Sequence, residues 1–121
     1  MKLQPDRILG QTVTGHGTGW IGLDGEQFHQ SMLIAWSGLR ETWQHSLENM
    51  HMSPHWAALL ATKPEVLLLG CGVQRMSLPA YVLAPLMALH IGIEAMDTGS
   101  ACRTYNILAA ENRKVAAILL V

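Results

Sequence analysis

The sequence predicts an α/β fold for residues 1–121, built as one domain. In the second half, short apolar runs alternate with segments that carry helix-start signals, which is the strand–helix–strand order of α/β proteins. The first third instead indicates antiparallel strands joined at an Asp-Gly turn. With 121 residues, 50% of them hydrophobic, the chain can bury one core of ordinary size and has little room for a second domain.

The hairpin predicted in the first third turns at Asp24-Gly25, because glycine accepts a positive φ at little cost. One of its strands ends near Trp20-Ile21, and the other runs from Gln27 towards Trp36. Glycines at positions 15, 17, 19 and 22 weaken the first strand. They indicate a bulge or a close backbone contact there.

A helix is predicted in the middle of the chain, with Ser53 as its N-cap and Pro54 at its first helical position. Lys63-Pro64 ends it. Its apolar face would hold Trp56, Leu59 and Leu60. The stretch before it, residues 39–52, is left open, although its apolar residues keep rough helical spacing: Trp43, Leu47 and Met50.

The second half gives three strands and two helices. Val66–Leu69 is a continuous apolar run typical of a buried parallel strand, and the other two strands cover residues 91–96 and 115–121. Ser77 and Pro79 start a helix that runs to about His90, and Pro85 inside it is expected to kink or break it. The last helix runs from residue 101 to about residue 111, with Ser100 as its cap.

Charged residues are scarce, at 14% of the chain against roughly 25% in ordinary soluble domains. The deficit is concentrated between Met76 and Ile93, where the sequence has no charged side chain. That stretch approaches the length of a transmembrane helix, but two prolines, His90 and Gly92 interrupt it. We therefore expect a helix that is buried or covered by a partner, without membrane insertion.

The net charge argues against a nucleic-acid-binding protein, and the N-terminal residues argue against a secretory signal peptide. Eight Lys and Arg against nine Asp and Glu give a net charge of −1, which offers no basic excess for a nucleic-acid backbone. The first seven residues are too polar and too few for a signal peptide, so the expected location is cytoplasmic.

The strand order predicts a site at one edge of the sheet. Parallel strands joined by a right-handed crossover end on the same side, so Gly70-Cys71-Gly72 and Asp97-Thr98-Gly99 should open at one edge. If these two loops are adjacent, they frame the kind of crevice in which open α/β sheets bind ligands. The candidate binding crevice comprises Gly70, Cys71, Gly72, Asp97, Thr98, Gly99, Cys102, Arg103, Thr104, Tyr105 and Asn106.

Two interpretations of this segment stay open. A helix N-terminus favours anions and lowers the pKa of a nearby thiol, which would suit a small-anion site or a reactive Cys102. Alternatively, Asp97, Thr98 and Ser100 only cap the helix, and Tyr105 packs in the core. The six histidines supply candidate bases without a motif. The ordinary interpretation of both cysteines is that they are small buried hydrophobes.

Other motifs are weaker. Gly15–Gly19 resembles part of a phosphate loop, but no Gly-Lys-Ser/Thr follows it. His51 and His55 are spaced like two ligands on one helical face, but Ser53-Pro54 places a helix boundary between them and a third ligand is not indicated. We therefore expect no metal and no other cofactor. All four tryptophans precede residue 60, and without basic charge they indicate core and hairpin packing rather than base stacking.

The segment from Glu94 to Asn106 reads Glu-Ala-Met-Asp-Thr-Gly-Ser-Ala-Cys-Arg-Thr-Tyr-Asn. It resembles the hallmark of a small domain-of-unknown-function family that includes mitochondrial respiratory complex I assembly factor 3 and the adipogenesis-associated domain protein. The resemblance continues through Ala110–Ala117 and covers Pro64–Gly72 upstream, where Gly70-Cys71-Gly72 stands in place of the family's Gly-Thr-Gly. Pro85 departs from the family too, since that helix usually lacks proline and is richer in charge.

The resemblance implies a single α/β domain with a central mixed sheet, an N-terminal β-hairpin region and flanking helices. It supplies no enzymatic activity. The leading hypothesis is therefore a non-catalytic binding or assembly module that meets a protein partner, or a second copy of itself, through the apolar Leu78–His90 segment. The alternative is a small-anion-binding or thiol-dependent site at the Gly70–Gly72 and Asp97–Asn106 loops.

Overall fold

A computed structural model describes residues 11–73 and 77–121, and its strands form two sheets. Residues 1–10 and 74–76, which include the N-terminal segment considered as a leader, lie outside the described residues. The strands are β1 (Val13–Gly17), β2 (Trp20–Leu23), β3 (Glu26–Phe28), β4 (Met32–Ala35), β5 (Arg40–Thr42), β6 (Val66–Gly70), β7 (Gly92–Met96) and β8 (Val115–Leu119). The helices are a 3-10 helix (Leu47–Met52), α1 (Trp56–Ala61), α2 (Ala80–Ala88) and α3 (Thr98–Ala110).

The small sheet has the strand order β1-β2-β3 and contains the predicted hairpin. Its first strand, β2, runs on to Leu23 next to the turn and does not end near Trp20-Ile21 as predicted. Leu23 pairs with Glu26 across the turn, and both turn residues have positive φ, 50° at Asp24 and 89° at Gly25. This is the two-residue geometry for which Asp-Gly is preferred. The predicted bulge is also present, because the pairing of β1 with β2 shifts register between Val13 and Gly15.

The second strand of the hairpin is shorter than predicted. The expected run from Gln27 towards Trp36 is two strands, and they belong to different sheets. Glu26 and Gln27 of β3 are polar and exposed, and only Phe28 is half-buried, which suits an edge strand. All four residues of β4 are buried, so both faces of this strand are covered. That burial is available in the large sheet, which is covered on both faces.

The large sheet is mixed, with the order β5-β4-β8-β6-β7. At its centre β8 runs parallel to β6 and antiparallel to β4. The parallel pairs β8–β6 and β6–β7 are the predicted α/β half of the chain. The mixed central sheet that the family resemblance implied is thus confirmed.

Both faces of the large sheet are covered. On one face, side chains such as Leu67, Leu69 and Ile118 pack with the 3-10 helix, α1 and α2. On the other face, Leu68, Ala117 and Leu119 pack with α3 and the small sheet. Alternate residues of β6 and β8 therefore serve opposite cores, and this double burial explains their continuous apolar sequences.

The order of the helices along the chain was predicted correctly, but the residues at which they begin were not. Ser53 is not the N-cap of α1, because the helix begins at Trp56 with His55 as its cap. The Ser53 hydroxyl instead accepts a hydrogen bond from the His55 N–H at 3.0 Å, in a turn before the helix. The spaced apolar residues at 43, 47 and 50 are buried, the last two on the 3-10 helix and Trp43 just after β5.

Two further corrections concern the later helices. Ser100 does not cap α3, since the helix begins three residues before residue 101, with Asp97 as its N-cap. In α2 the cap is Pro79, and the helix continues through Pro85 to Ala88 without the predicted break.

Candidate functional site

The loops that leave β6 and β7 meet at one edge of the sheet, as the strand order predicted. Gly70 pairs with Met96 at the ends of the two strands, and the Thr98 N–H donates to the Gly72 carbonyl at 3.0 Å. The Thr98 hydroxyl accepts from the Gly72 N–H at 2.8 Å and donates to the Leu120 carbonyl at 2.7 Å. One buried side chain therefore joins both loops to the end of β8.

A cleft of about 850 Å³ opens at this edge. Its floor and one wall include the predicted residues Cys71, Gly72, Asp97, Thr98, Gly99 and Arg103. The opposite wall is the turn between β1 and β2, with His16, Gly17, Thr18 and Gly19. Sequence reasoning missed this wall. The glycine-rich run was interpreted as a weakened strand with a bulge or as part of a phosphate loop, and neither interpretation placed its turn, residues 18–19, across the cleft.

The two walls come very close at Gly99. A Cβ built there would lie 2.8 Å from Cε1 of His16, so a side chain at this position would displace the imidazole. A second close approach lies below the cleft, where a Cβ on Gly70 would come within 3.1 Å of the Thr98 Cα. Gly70 itself is buried at the end of β6 and does not line the cleft.

Four predicted residues face away from the cleft. Cys102 and Tyr105 are buried in the core between α3 and the small sheet. The Thr104 hydroxyl lies 3.6 Å from the sulfur of Met96. The Asn106 amide accepts from the Val13 N–H at 2.9 Å and donates to the Val13 carbonyl at 2.8 Å. It thereby fastens the small sheet to α3, which is a structural role.

The N-terminus of α3 already holds an anionic group of its own. The Asp97 carboxylate accepts from the Ser100 N–H at 2.8 Å and from the Ser100 hydroxyl at 2.9 Å. These hydrogen bonds lower the pKa of the Asp97 carboxyl, and the nearby Arg103 adds to the effect. An external anion would have to compete with this carboxylate, so the geometry favours capping over the small-anion interpretation.

The Cys102 thiol is not placed for nucleophilic chemistry. It lies on the fifth residue of α3, beyond the first turn, and is only 2% exposed. Burial raises its pKa to about 11, and the opposing effect of Arg103 is smaller. At neutral pH the group is therefore a buried thiol rather than a thiolate. Cys71 is also buried, and its thiol lies 3.6 Å from the Leu69 carbonyl.

The histidines of the middle segment do not form a metal centre with their neighbours. Within residues 11–73 and 77–121, His, Cys, Asp and Glu side chains nowhere gather in a group of three that could hold a metal ion. His55 precedes α1, with its Nε2 4.0 Å from a carboxylate oxygen of Glu41. The ring of His51 meets the ring of Tyr81 edge-on, with 5.9 Å between centroids.

Helix α2 carries the second candidate surface. Val82 and Leu86 are its buried residues, and they pack into the core beside β6. Its exposed residues are all uncharged: Ala80, Tyr81, Ala84, Pro85, Met87 and Ala88. Tyr81 is 61% exposed to solvent and Met87 is 66% exposed. No helix in the described part of the chain has the length and apolarity needed to span a membrane.

The family model described as "Protein of unknown function (DUF498/DUF598)" matches residues 13–120. The chain belongs to this family. The match takes in both candidate surfaces and every strand and helix described above. It confirms the family resemblance that the Glu94–Asn106 segment carries.

Curated relatives of this family member have varied names. A zebrafish (Danio rerio) protein, "NADH dehydrogenase [ubiquinone] 1 alpha subcomplex assembly factor 3", is 44% identical over 62 residues, 51% of this chain and 36% of that protein. The "13 kDa major membrane protein" of Francisella tularensis is 33% identical over 66 residues, 54% of each chain. An uncharacterised Rhodobacter capsulatus protein is 32% identical over 116 residues, covering 89% of this chain and 82% of its own. The match with this chain thus spans only about a third of the zebrafish protein and about half of the Francisella protein.

Solved structures of similar proteins share the fold over nearly their full length. A Bordetella parapertussis protein is 37% identical, with a TM-score of 0.77 over 91% of this chain and 94% of its own. An outer membrane protein from Bartonella henselae is 28% identical, with a TM-score of 0.80 over 93% of this chain and 95% of its own. A Bordetella pertussis protein described as a Mth938-like domain is 32% identical, with a TM-score of 0.75 over 99% and 92%.

Proposed function

We propose that this family member is a non-catalytic protein-binding module of the assembly-factor kind, and that it meets its partner through the exposed face of α2. The observation that carries the proposal is the helix itself. Its outward residues, Tyr81 and Met87 among them, are all uncharged, whereas a helix facing water ordinarily presents charged or polar side chains. The likeness to a protein named as an assembly factor supports the same class of function.

The composition of this face suits a protein surface. Protein interfaces are depleted of charge at their centres and enriched in Tyr and Met. Tyr81 also contacts His51, so the surface continues onto the 3-10 helix, where Met52 is exposed. We expect the partner to present a complementary apolar patch with few charges.

The non-catalytic part of the proposal is supported at the cleft. The Asp97 carboxylate caps α3, and the Cys102 thiol is buried with a raised pKa. These two observations favour a non-catalytic role over the small-anion and thiol-dependent interpretations of the loops. The cytoplasmic location stays a prediction.

A charge placed on the exposed face of α2 tests the proposal. We expect Met87→Lys to fold normally, since the side chain is exposed, and to weaken binding of the partner at least tenfold, since an interface core would have to bury the ammonium. The partner is first captured from lysate of the native organism, then purified and titrated against the purified chain.

Ile107→Lys is the matched control. Ile107 is an exposed apolar residue on α3, which packs on the other face of the sheet, and its residue exposure is 59%. The control should bind the captured protein like the unmodified chain. Equal binding by both variants would show that the exposed face of α2 is not part of the interface. If sedimentation shows a dimer that only Met87→Lys dissociates, the partner is a second copy of this chain.

A further inference from the structure

The large sheet has two edges, and they differ in protection. At one edge β5 has only three residues, two of them charged, and Gln11 lies against it, donating to the Leu39 carbonyl at 2.7 Å. At the other edge β7 has five residues, Gly-Ile-Glu-Ala-Met, without lysine or proline. Short strands, charges and covering segments are the usual protection of a sheet edge. By these criteria β5 is the better protected edge, and within residues 11–73 and 77–121 no strand covers β7, whose one charge is Glu94.

The hydrogen-bond pattern fixes which backbone groups of β7 face outward. The Gly92 N–H donates to the Glu65 carbonyl at 2.9 Å, and the Met96 carbonyl accepts from the Cys71 N–H at 2.8 Å, so both residues point towards β6. Alternation along a parallel strand directs Glu94 inward too. The N–H and C=O groups of Ile93 and Ala95 therefore point away from the sheet, where no other described strand pairs with β7.

The side chains alternate between the two faces of the sheet. Ile93 packs against the core under α2, and Met96 packs against the core under α3. By the same alternation Ala95 lies on the α2 face and Glu94 on the α3 face. Glu94 is exposed and is the only charged side chain on the strand.

We propose that β7 accepts an extended segment of a partner protein as an added antiparallel strand, with a basic residue opposite Glu94. The outward N–H and C=O groups of Ile93 and Ala95 can form four hydrogen bonds with an added strand. In strand addition such main-chain hydrogen bonds provide affinity, and side-chain contacts provide specificity. Antiparallel pairing places the residue between those two pairs directly across from Glu94, within about 5 Å. A lysine or arginine there gains attraction, and small apolar residues fit beside Ile93 and Ala95.

A second copy of this chain fits the edge less well. The symmetric arrangement that uses all the outward groups pairs Ile93 of one copy with Ala95 of the other. It also places the two Glu94 carboxylates opposite each other on one face, where like charges repel. The charge on β7 therefore discriminates against self-pairing and favours a basic partner strand. This surface is the backbone edge of β7 and differs from the exposed face of α2, although α2 packs against β7.

The test uses the full chain labelled with ¹⁵N and two probe peptides at millimolar concentration: acetyl-Thr-Val-Lys-Val-Thr-amide and the same peptide with Glu in place of Lys. We expect the lysine peptide to shift the amide signals of Ile93 and Ala95 and to slow their hydrogen exchange, with smaller changes at Gly92 and Glu94. It should bind about 5-fold more tightly than the glutamate peptide, and Glu94→Lys should reverse that preference.

Two variants complete the test. Ala95→Pro removes an outward donor at an edge position where proline is tolerated, so the chain should fold and lose the peptide. Met87→Lys should bind the peptide unchanged, which separates this site from the one on α2. The proposal is overturned if neither peptide shifts Ile93 and Ala95, if both peptides bind equally, or if folded Ala95→Pro still binds.

Discussion

Asp97 shows how a residue that looks functional in the sequence can be structural in the fold. Its carboxylate takes two hydrogen bonds from Ser100 at the start of α3, and these lower its pKa below the ordinary aspartate value. Sequence reasoning included capping among its alternatives, but it assigned the cap to Ser100. The identity of the cap depends on where the backbone becomes helical, and several polar residues in a row leave that position undetermined.

The lowered pKa of Asp97 gives a pH-dependent contribution to stability. Because the pKa is lower in the folded chain, the contribution is present above the unfolded value of about 3.9 and is lost as the pH falls through the folded value. We expect Asp97→Asn to be less stable than the unmodified chain at pH 7, with the gap narrowing below about pH 4. Urea unfolding across this range measures it.

Ser100→Ala is the control for that experiment. It keeps the N–H that donates to Asp97 and removes the hydroxyl, so part of the pH dependence should persist. A gap between Asp97→Asn and the unmodified chain that stays constant from pH 7 to pH 3 would show that the carboxylate charge does not contribute.

At the scale of elements, strands were easier to predict than helix ends. The segments that form β6 and β8 are buried on both faces. Their short, continuous apolar sequences are typical of such strands and fit few other secondary structures. Helix starts depend on local hydrogen bonds among polar residues, and three of them were misplaced by one to three residues. The division between β3 and β4 was missed because it depends on pairing with β8, some 85 residues later, which local pattern does not report.

Helix α2 holds a proline in its interior, and this gives a prediction about its stability. Pro85 is exposed and lacks the N–H that would bond to the preceding turn. We expect Pro85→Ala to raise the free energy of unfolding by between about 1 and 3 kcal/mol. Chemical denaturation with matched slopes for the two proteins is the measurement.

Pro79→Ala should act in the opposite direction. Pro79 caps α2 in an extended conformation, where proline restricts the unfolded chain without breaking a helical hydrogen bond. The control should therefore lose about 0.4–1 kcal/mol. If Pro85→Ala is also destabilising, α2 depends on the ring of Pro85 in a way that its exposure does not indicate.

For the whole molecule, the loops that meet beside β6 and β7 are held together by Thr98. Its hydroxyl bonds to Gly72 in one loop and to Leu120 after β8, so three segments distant in sequence share one side chain. That the two loops open at the same edge was predictable, because a right-handed crossover between parallel strands requires it. Their adjacency also needs β6 and β7 to be neighbours in the sheet, and the sequence left that condition open. The wall formed by His16–Gly19 was not predictable, since it depends on how the small sheet packs against α3.

Replacing Thr98 by valine keeps the shape of the side chain and removes the hydroxyl. The Gly72 N–H and the Leu120 carbonyl then lose their partner in a poorly hydrated place, and we expect a loss of about 2 kcal/mol. Thermal or urea unfolding measures it. Thr98→Ser retains the hydroxyl and should lose clearly less; equal losses would mean that packing of the methyl group, rather than hydrogen bonding, matters here.

The position of β8 has a consequence for biosynthesis. It lies between β4 and β6 in the large sheet, yet it is translated after both. Until residues 115–119 leave the ribosome, the apolar strands β4 and β6 lack their common neighbour and expose unpaired edges. Such long-range pairing slows folding and exposes intermediates to aggregation. Ribosome-bound chains that stop short of β8 should therefore be protease-sensitive and bind chaperones.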